Sequence, residues 1–150
     1  QNAGADLSQC FTAYSAVSVA MFDGMITCWG IKYRENLIRP VTYINRYLDK
    51  NWKPLIQTPP FPEYTSGHST VSGSASIILE SLYPNTAVTD STEVPFGFAP
   101  RTFKTATEAG REASDSRFYG GIHYKFGVDN GFANGNAIGQ HILNTLTKFK

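Results

Sequence analysis

The sequence predicts an all-α helical domain. Three observations point there: apolar residues recur at helical spacing over residues 8–28, small residues run unbroken after His68, and strand signals are thin. The best strand candidate, "STEVPFGF", is short, holds a proline and lacks a hairpin partner with period-two alternation. A length of 150 residues suits one unit over 1–150 rather than two.

The elements follow in chain order. Over residues 8–28, Phe11, Tyr14, Val17, Met21 and Met25 recur three or four apart, which predicts a helix buried on that stripe. A second helical stretch covers Lys32 to Ile38 and resumes after Pro40 through Leu48. Proline disfavours the helical conformation in the residue before it, so a bend is expected at Arg39. Residues 51–65 hold Pro54, Pro59, Pro60 and Pro62 and read as an irregular loop that needs a functional or packing reason. A helix starts near His68, and its small residues would let other backbones approach closely. Residues 84–102 form a turn-rich crossing. From Phe103 a helix runs to Gly120 or Gly121, and a last one covers roughly Asp129 to Phe149.

Composition narrows the function. Thirteen basic against twelve acidic residues leave a net charge of +1, so no broad electrostatic footprint for nucleic acid exists. Any anion site must be local. No apolar run suggests a membrane span. Cys10 and Cys28 cannot make a disulfide scaffold or a four-ligand zinc site. One helix would hold them about 27 Å apart, so two free buried thiols are expected.

Three short clusters carry chemistry. In "KYRENLIRP", Lys32 and Arg39 stand seven apart, two helical turns, and so share a face. In "PEYTSGHST", Ser66, Gly67 and His68 leave the proline-rich loop at a helix start, where a hydroxyl and free N–H groups can donate to an anion. In "SRFYGGIHY", Arg117 precedes His123 by six residues across two glycines. Each alone is ordinary: helical cations are commonly solvated, and serine commonly caps helices. Together they supply three cations, further N–H and O–H donors, and two imidazoles able to move protons or attack near neutral pH. That inventory fits a tetrahedral oxyanion such as phosphate, or vanadate, and needs no magnesium. His141 lies outside the clusters and reads as structural.

These clusters resemble the three-part signature of the superfamily that joins type 2 phosphatidic acid phosphatases to vanadium-dependent haloperoxidases. Lys32, Arg39 and Pro40 match its first part, Ser66, Gly67 and His68 its second, and Ser116, Arg117 and His123 its third. The resemblance spans about residues 20–140 and implies a helical bundle of the acid phosphatase/vanadium haloperoxidase type. It implies Lys32, Arg39, Ser66, Gly67 and Arg117 as the oxyanion-binding set, with His68 and His123 catalytic. In a haloperoxidase His123 would bond to vanadium, and the vanadate cofactor would let hydrogen peroxide oxidise halide. In the alternative, a metal-independent acid phosphatase or phosphoesterase without cofactor, His123 would attack phosphorus and His68 protonate the leaving alcohol of a small phosphoester.

The chain departs from the signature twice. Thr65 replaces the usual proline before Ser-Gly-His. Four residues after His123, where members often place an aspartate to orient the ring, stands Gly127; the nearest carboxylate is Asp129. Asp129 either takes that role or caps the final helix, or a backbone carbonyl holds the ring. Trp29 and Phe61 resemble aromatic positions near vanadate in the soluble chloroperoxidase-like branch, and equally suit plain packing. Haloperoxidases of this kind are longer, so the chain is expected to be their C-terminal catalytic portion. Companion helices would come from a missing segment or a homo-oligomer. The resemblance implies a bacterial, extracytoplasmic or periplasmic protein.

Overall fold

The computed structural model describes residues 4–146. Helix α1 spans Leu7–Glu35, opened by a capping box in which Asp6 accepts from the Gln9 amide while the Gln9 side chain accepts from the Asp6 amide. It runs without interruption past Cys28, where two separate segments were expected. It ends three residues before Ile38, because Asn36 turns left-handed at φ 48°. Helix α2, Pro40–Tyr47, starts as expected: Arg39 is extended and Pro40 fills the first helical position. Helix α3 is Gly67–Leu82, α4 Ala106–Tyr119 and α5 Lys125–Leu146.

The crossing between α3 and α4 holds a small sheet that the sequence did not announce. Strand β1, Val88–Asp90, pairs antiparallel with β2, Arg101–Phe103, placing Val88 opposite Phe103. Three-residue strands show no periodicity. The 3-10 turn Val94–Phe96 accounts for "VPF" inside the discounted strand candidate. Phe103 therefore ends β2 rather than starting a helix, and Thr105 caps α4 by accepting from the Glu108 amide. The last helix begins at Lys125, four residues before Asp129; its expected end at Phe149 lies outside the described residues.

Helix α3 is the hub, packed against α1, α4 and α5. It can be central because its neighbours present small residues. On α5, Gly131 and Gly135 face α3 backbone so closely that a Cβ on Gly131 would stand 2.8 Å from the Ser66 carbonyl oxygen. On α1 the buried stripe is Ala13, Ala16, Ala20, Gly24, Cys28 and Lys32. This corrects the expected stripe. Phe11, Tyr14 and Met21 recur at helical spacing but point outward, with Phe11 65% exposed, while Met25, 45% exposed, faces a cavity rather than the core. Small side chains let α1 lie close to Thr70 and Ser74 of α3, and that close approach selects the face that is buried.

The apolar centre away from the site joins Ala16, Ala20, Ile78 and Ile142. Cys28 is fully buried, its thiol donating to the Thr65 carbonyl at 3.4 Å. Cys10, expected buried, is only half-buried, and both thiols are free. His141 is exposed on α5. By length and composition α1 and its continuation, Leu7–Tyr47, also meet the requirement for a membrane span, with a mean hydropathy of 1.2 over 18 residues. A helix that packs against other protein meets the same requirement, and the stretch is broken between Glu35 and Pro40.

Candidate functional site

All three sequence clusters meet at the α1–α2 junction, the start of α3 and the α4–α5 turn. Lys32 is fully buried, and its ammonium donates to the carbonyls of Pro62 and Glu63, both at 2.9 Å. Burial pushes its pKa down to about 8, with Arg39 adding to the fall while Cys28 and Glu63 oppose it. Arg39 donates through Nε to the Phe61 carbonyl and through Nη1 to the Ile122 carbonyl. These bonds pull the proline-rich loop and the α4–α5 turn onto one guanidinium. The loop between α2 and α3 is irregular because its carbonyls serve buried cations instead of a ladder.

Ser66 is the N-cap of α3: its hydroxyl oxygen accepts from the Ser69 amide at 3.3 Å, and its own amide donates to the Gly127 carbonyl at 3.0 Å. The hydroxyl proton stays available. Gly67 opens the helix, and a Cβ there would press on the Trp29 ring at 3.3 Å. His68 is exposed at the mouth; desolvation of its ring, then the Arg117 charge, hold its pKa below the ordinary value. Arg117 sits in the last turn of α4, half-buried. After it the chain reverses through Gly121, whose φ of 75° favours glycine. That reversal brings His123 back under the same cavity.

His123 is buried, and both ring nitrogens are engaged. Nδ1 lies 2.6 Å from Glu63 Oε1, and Nε2 lies 3.0 Å from Arg39 Nη1. A guanidinium can only donate, so Nε2 is the accepting nitrogen and Nδ1 carries the proton that Glu63 accepts. Burial is the main cause holding the His123 pKa low, with Arg39 and Lys32 in the same direction; the Glu63 bond opposes it. The ring is neutral at pH 7, with its Nε2 lone pair turned toward the cations.

Glu63 was not singled out in the sequence. Its side chain is fully buried, and Oε1 also accepts from the Tyr124 amide at 3.1 Å. It occupies the space a side chain at Gly127 would need: a Cβ there would fall 2.8 Å from Oε2 and 2.9 Å from Cδ. The signal was present as a lone carboxylate just before Thr65-Ser66, paired with the missing aspartate at Gly127. Asp129, the expected orienting carboxylate, does neither job assigned to it. It lies one turn inside α5 and pairs with Arg111 and Lys125, away from the His123 ring. A backbone carbonyl does not hold the ring either. Ser116, from the third cluster, is exposed and donates to the Ala113 carbonyl.

Trp29 and Phe61 pack at 5.2 Å between ring centroids. The Lys32 ammonium stands 5.2 Å from the Phe61 centroid and the Arg39 guanidinium 5.1 Å from it. With Met25, Pro59, Val71 and Ile122 the two rings wall a cavity of about 220 Å³, and His68, Gly67 and His123 line it too. The aromatics therefore both pack and face the cavity. Lys32 and Arg39 do not line it but lie behind Phe61 and His123, which sets positive charge at that end.

Two buried cationic donors at this end have no partner among the described residues, Arg39 Nη2 and Arg117 Nε. Unpaired buried donors carry a desolvation cost that an anion would relieve. The Ser66 hydroxyl and the α3 N-terminus add donors, and Nε2, which here accepts from Arg39 Nη1, offers one bond to a central atom when Arg39 turns to the anion. The donor set fits a tetrahedral oxyanion, vanadate included. Among the described residues, no three His, Cys, Asp or Glu side chains cluster as a cation site.

Residues 47–150 match the family profile described as the VCPO second helical-bundle domain. The crystal structure of the first bacterial vanadium-dependent iodoperoxidase superposes with a TM-score of 0.88 at 50% identity, over 93% of this chain and 34% of that one. A bacterial vanadium-dependent chloroperoxidase in its holo form superposes at 0.74 and in its apo form at 0.73, both at 21% identity over 89% of this chain. Those two share the fold. The chain spans about a third of the length of these structures, 34% to 36%. No curated protein sequence matches it.

Proposed function

Because the chain belongs to the family of the VCPO second helical-bundle domain, we propose that it forms the oxyanion-binding catalytic portion of a vanadium-dependent haloperoxidase. The reaction is oxidation of halide by hydrogen peroxide, with iodide favoured on the 50% identity to a bacterial iodoperoxidase. Vanadate, when bound, supplies the Lewis-acidic centre that activates peroxide. This chain's residues hold it and manage protons.

The observation that carries the reading is the line Glu63–His123–Arg39. Glu63 fixes the proton on Nδ1, so Nε2 presents a lone pair at the inner end of the cavity. Lys32, Arg39 and Arg117 balance the charge of the oxyanion, while Ser66 and Gly67 donate to its oxygens. His68, at the mouth and neutral at pH 7, takes a proton from incoming peroxide and returns it to a leaving oxygen. Trp29 and Phe61 exclude water from the charged end, which strengthens every charge interaction there. Helices from the remainder of a longer chain cover the outward apolar face of α1.

The test is halide oxidation by the full-length protein with and without vanadate, alongside hydrolysis of a phosphomonoester. Vanadate-dependent iodide oxidation is expected. Hydrolysis inhibited by vanadate, with no halide oxidation, would replace this reading by the phosphatase one, in which His123 Nε2 attacks phosphorus and His68 protonates the leaving group.

A further inference from the structure

The chain has two methionines, Met21 and Met25, one helical turn apart on α1. They are almost equally exposed, at 41% and 45%. Only Met25 lines the cavity that holds His68 and His123. It stands one turn before Trp29 on the same face of α1, so its side chain borders the cavity that His68 and His123 also line. Thioethers are soft two-electron reductants, and nothing in the proposed chemistry uses this one.

We propose that Met25 is a self-oxidation site: the hypohalous acid formed in this cavity converts it to methionine sulfoxide before it reaches other side chains. The inference rests on the haloperoxidase reading, which supplies the oxidant. In the step, the sulfur lone pair takes the oxygen of the hypohalous acid, forming S=O and breaking the oxygen–halogen bond. Sulfur loses two electrons, the halogen leaves as halide, and the hydroxyl proton passes to water. The product puts a polar sulfoxide into an apolar wall beside Trp29 and Phe61, so the cavity changes character as turnover proceeds.

Proximity, not exposure, sets the preference, and that separates enzyme-made oxidant from oxidant in bulk. Cys10 offers a distant comparison, 15 residues up α1 or about 22 Å along its axis. The full-length protein loaded with vanadate is supplied with peroxide and halide, and halide oxidation is followed in the same tube. Peptide fragmentation then measures sulfoxide at Met21 and Met25 and oxidation at Cys10. A parallel sample without vanadate receives reagent hypohalous acid. The Met25-to-Met21 oxidation ratio is expected to be about threefold or more higher after turnover than after reagent treatment, and turnover spares Cys10 relative to the reagent. The same Met25-to-Met21 ratio in both samples, with halide oxidised, would overturn the proposal and leave the haloperoxidase reading standing. Absence of halide oxidation would overturn both.

Discussion

Glu63 holds its carboxylate in the space left by the missing side chain of Gly127. A Cβ on Gly127 would press on both Glu63 oxygens, and from this place Glu63 reaches His123 Nδ1 at 2.6 Å. The carboxylate that the signature often places on the final helix is supplied here by the loop before α3. The ring is oriented from the opposite direction in the chain.

That exchange makes a paired prediction. Glu63→Ala leaves the buried Nδ1–H without an acceptor, costing about 1–3 kcal/mol of stability and about 10–100-fold in vanadate affinity. Gly127→Asp alone crowds the Glu63 carboxylate and destabilises by about 1–3 kcal/mol. The double variant Glu63→Ala with Gly127→Asp returns the carboxylate to the final helix, and its vanadate affinity should exceed that of Glu63→Ala. Calorimetric titration measures all three, and a double variant no better than Glu63→Ala refutes the exchange.

Arg117 and His123 do different work. Arg117→Ala removes an unpartnered buried donor and should weaken phosphate binding by about 30-fold or more, with the fold kept by far-UV circular dichroism. His123→Ala should abolish halide oxidation while phosphate still binds through the cations. Unchanged turnover in His123→Ala would remove that residue from the chemistry.

Lys32 gives a pH signature whose sign is fixed. Its pKa is about 8 in the folded protein against 10.5 as the ordinary value. Between these values the unfolded chain binds more protons, so this group makes stability rise with pH there; below about pH 8 its full cost is present. A bound oxyanion favours the ammonium, so binding loses strength across the same window. Thermal melts from about pH 7 to 10, with and without inorganic phosphate, should show phosphate protection shrinking as pH rises. The Lys32→Met variant should lack both slopes; identical slopes would place Lys32 outside the site.

The outward face of α1 carries Leu7 at 74% exposure, Phe11 at 65% and Phe22 at 68%. An apolar stripe of this kind drives association when left uncovered. The 150-residue chain made alone should sediment as an oligomer, and Phe11→Ser with Phe22→Ser should shift it toward monomer. A monomer in the unsubstituted chain would count against an interface on this face.

The sequence by itself determined the local features and the order of the chemical groups. Pro40 predicts the bend at Arg39, and Ser66 predicts the start of α3, because caps and proline act through neighbouring backbone alone. Lys32, Arg39, Ser66, Gly67, His68, Arg117 and His123 were legible because their spacings are short and their residue types are chemically unusual together. Tertiary structure decided the rest. On α1 two helical stripes compete, one large and apolar and one small; the close backbone of α3 admits only the small one, which periodicity cannot weigh. Asp129 and Glu63 were both available to orient His123, 6 and 60 residues away in the chain. Arg111 and Lys125 claimed Asp129. Glu63 reached the ring because Lys32 and Arg39 hold the carbonyls of Phe61, Pro62 and Glu63 itself and Gly127 leaves it room, contacts that exist only once the helices have packed.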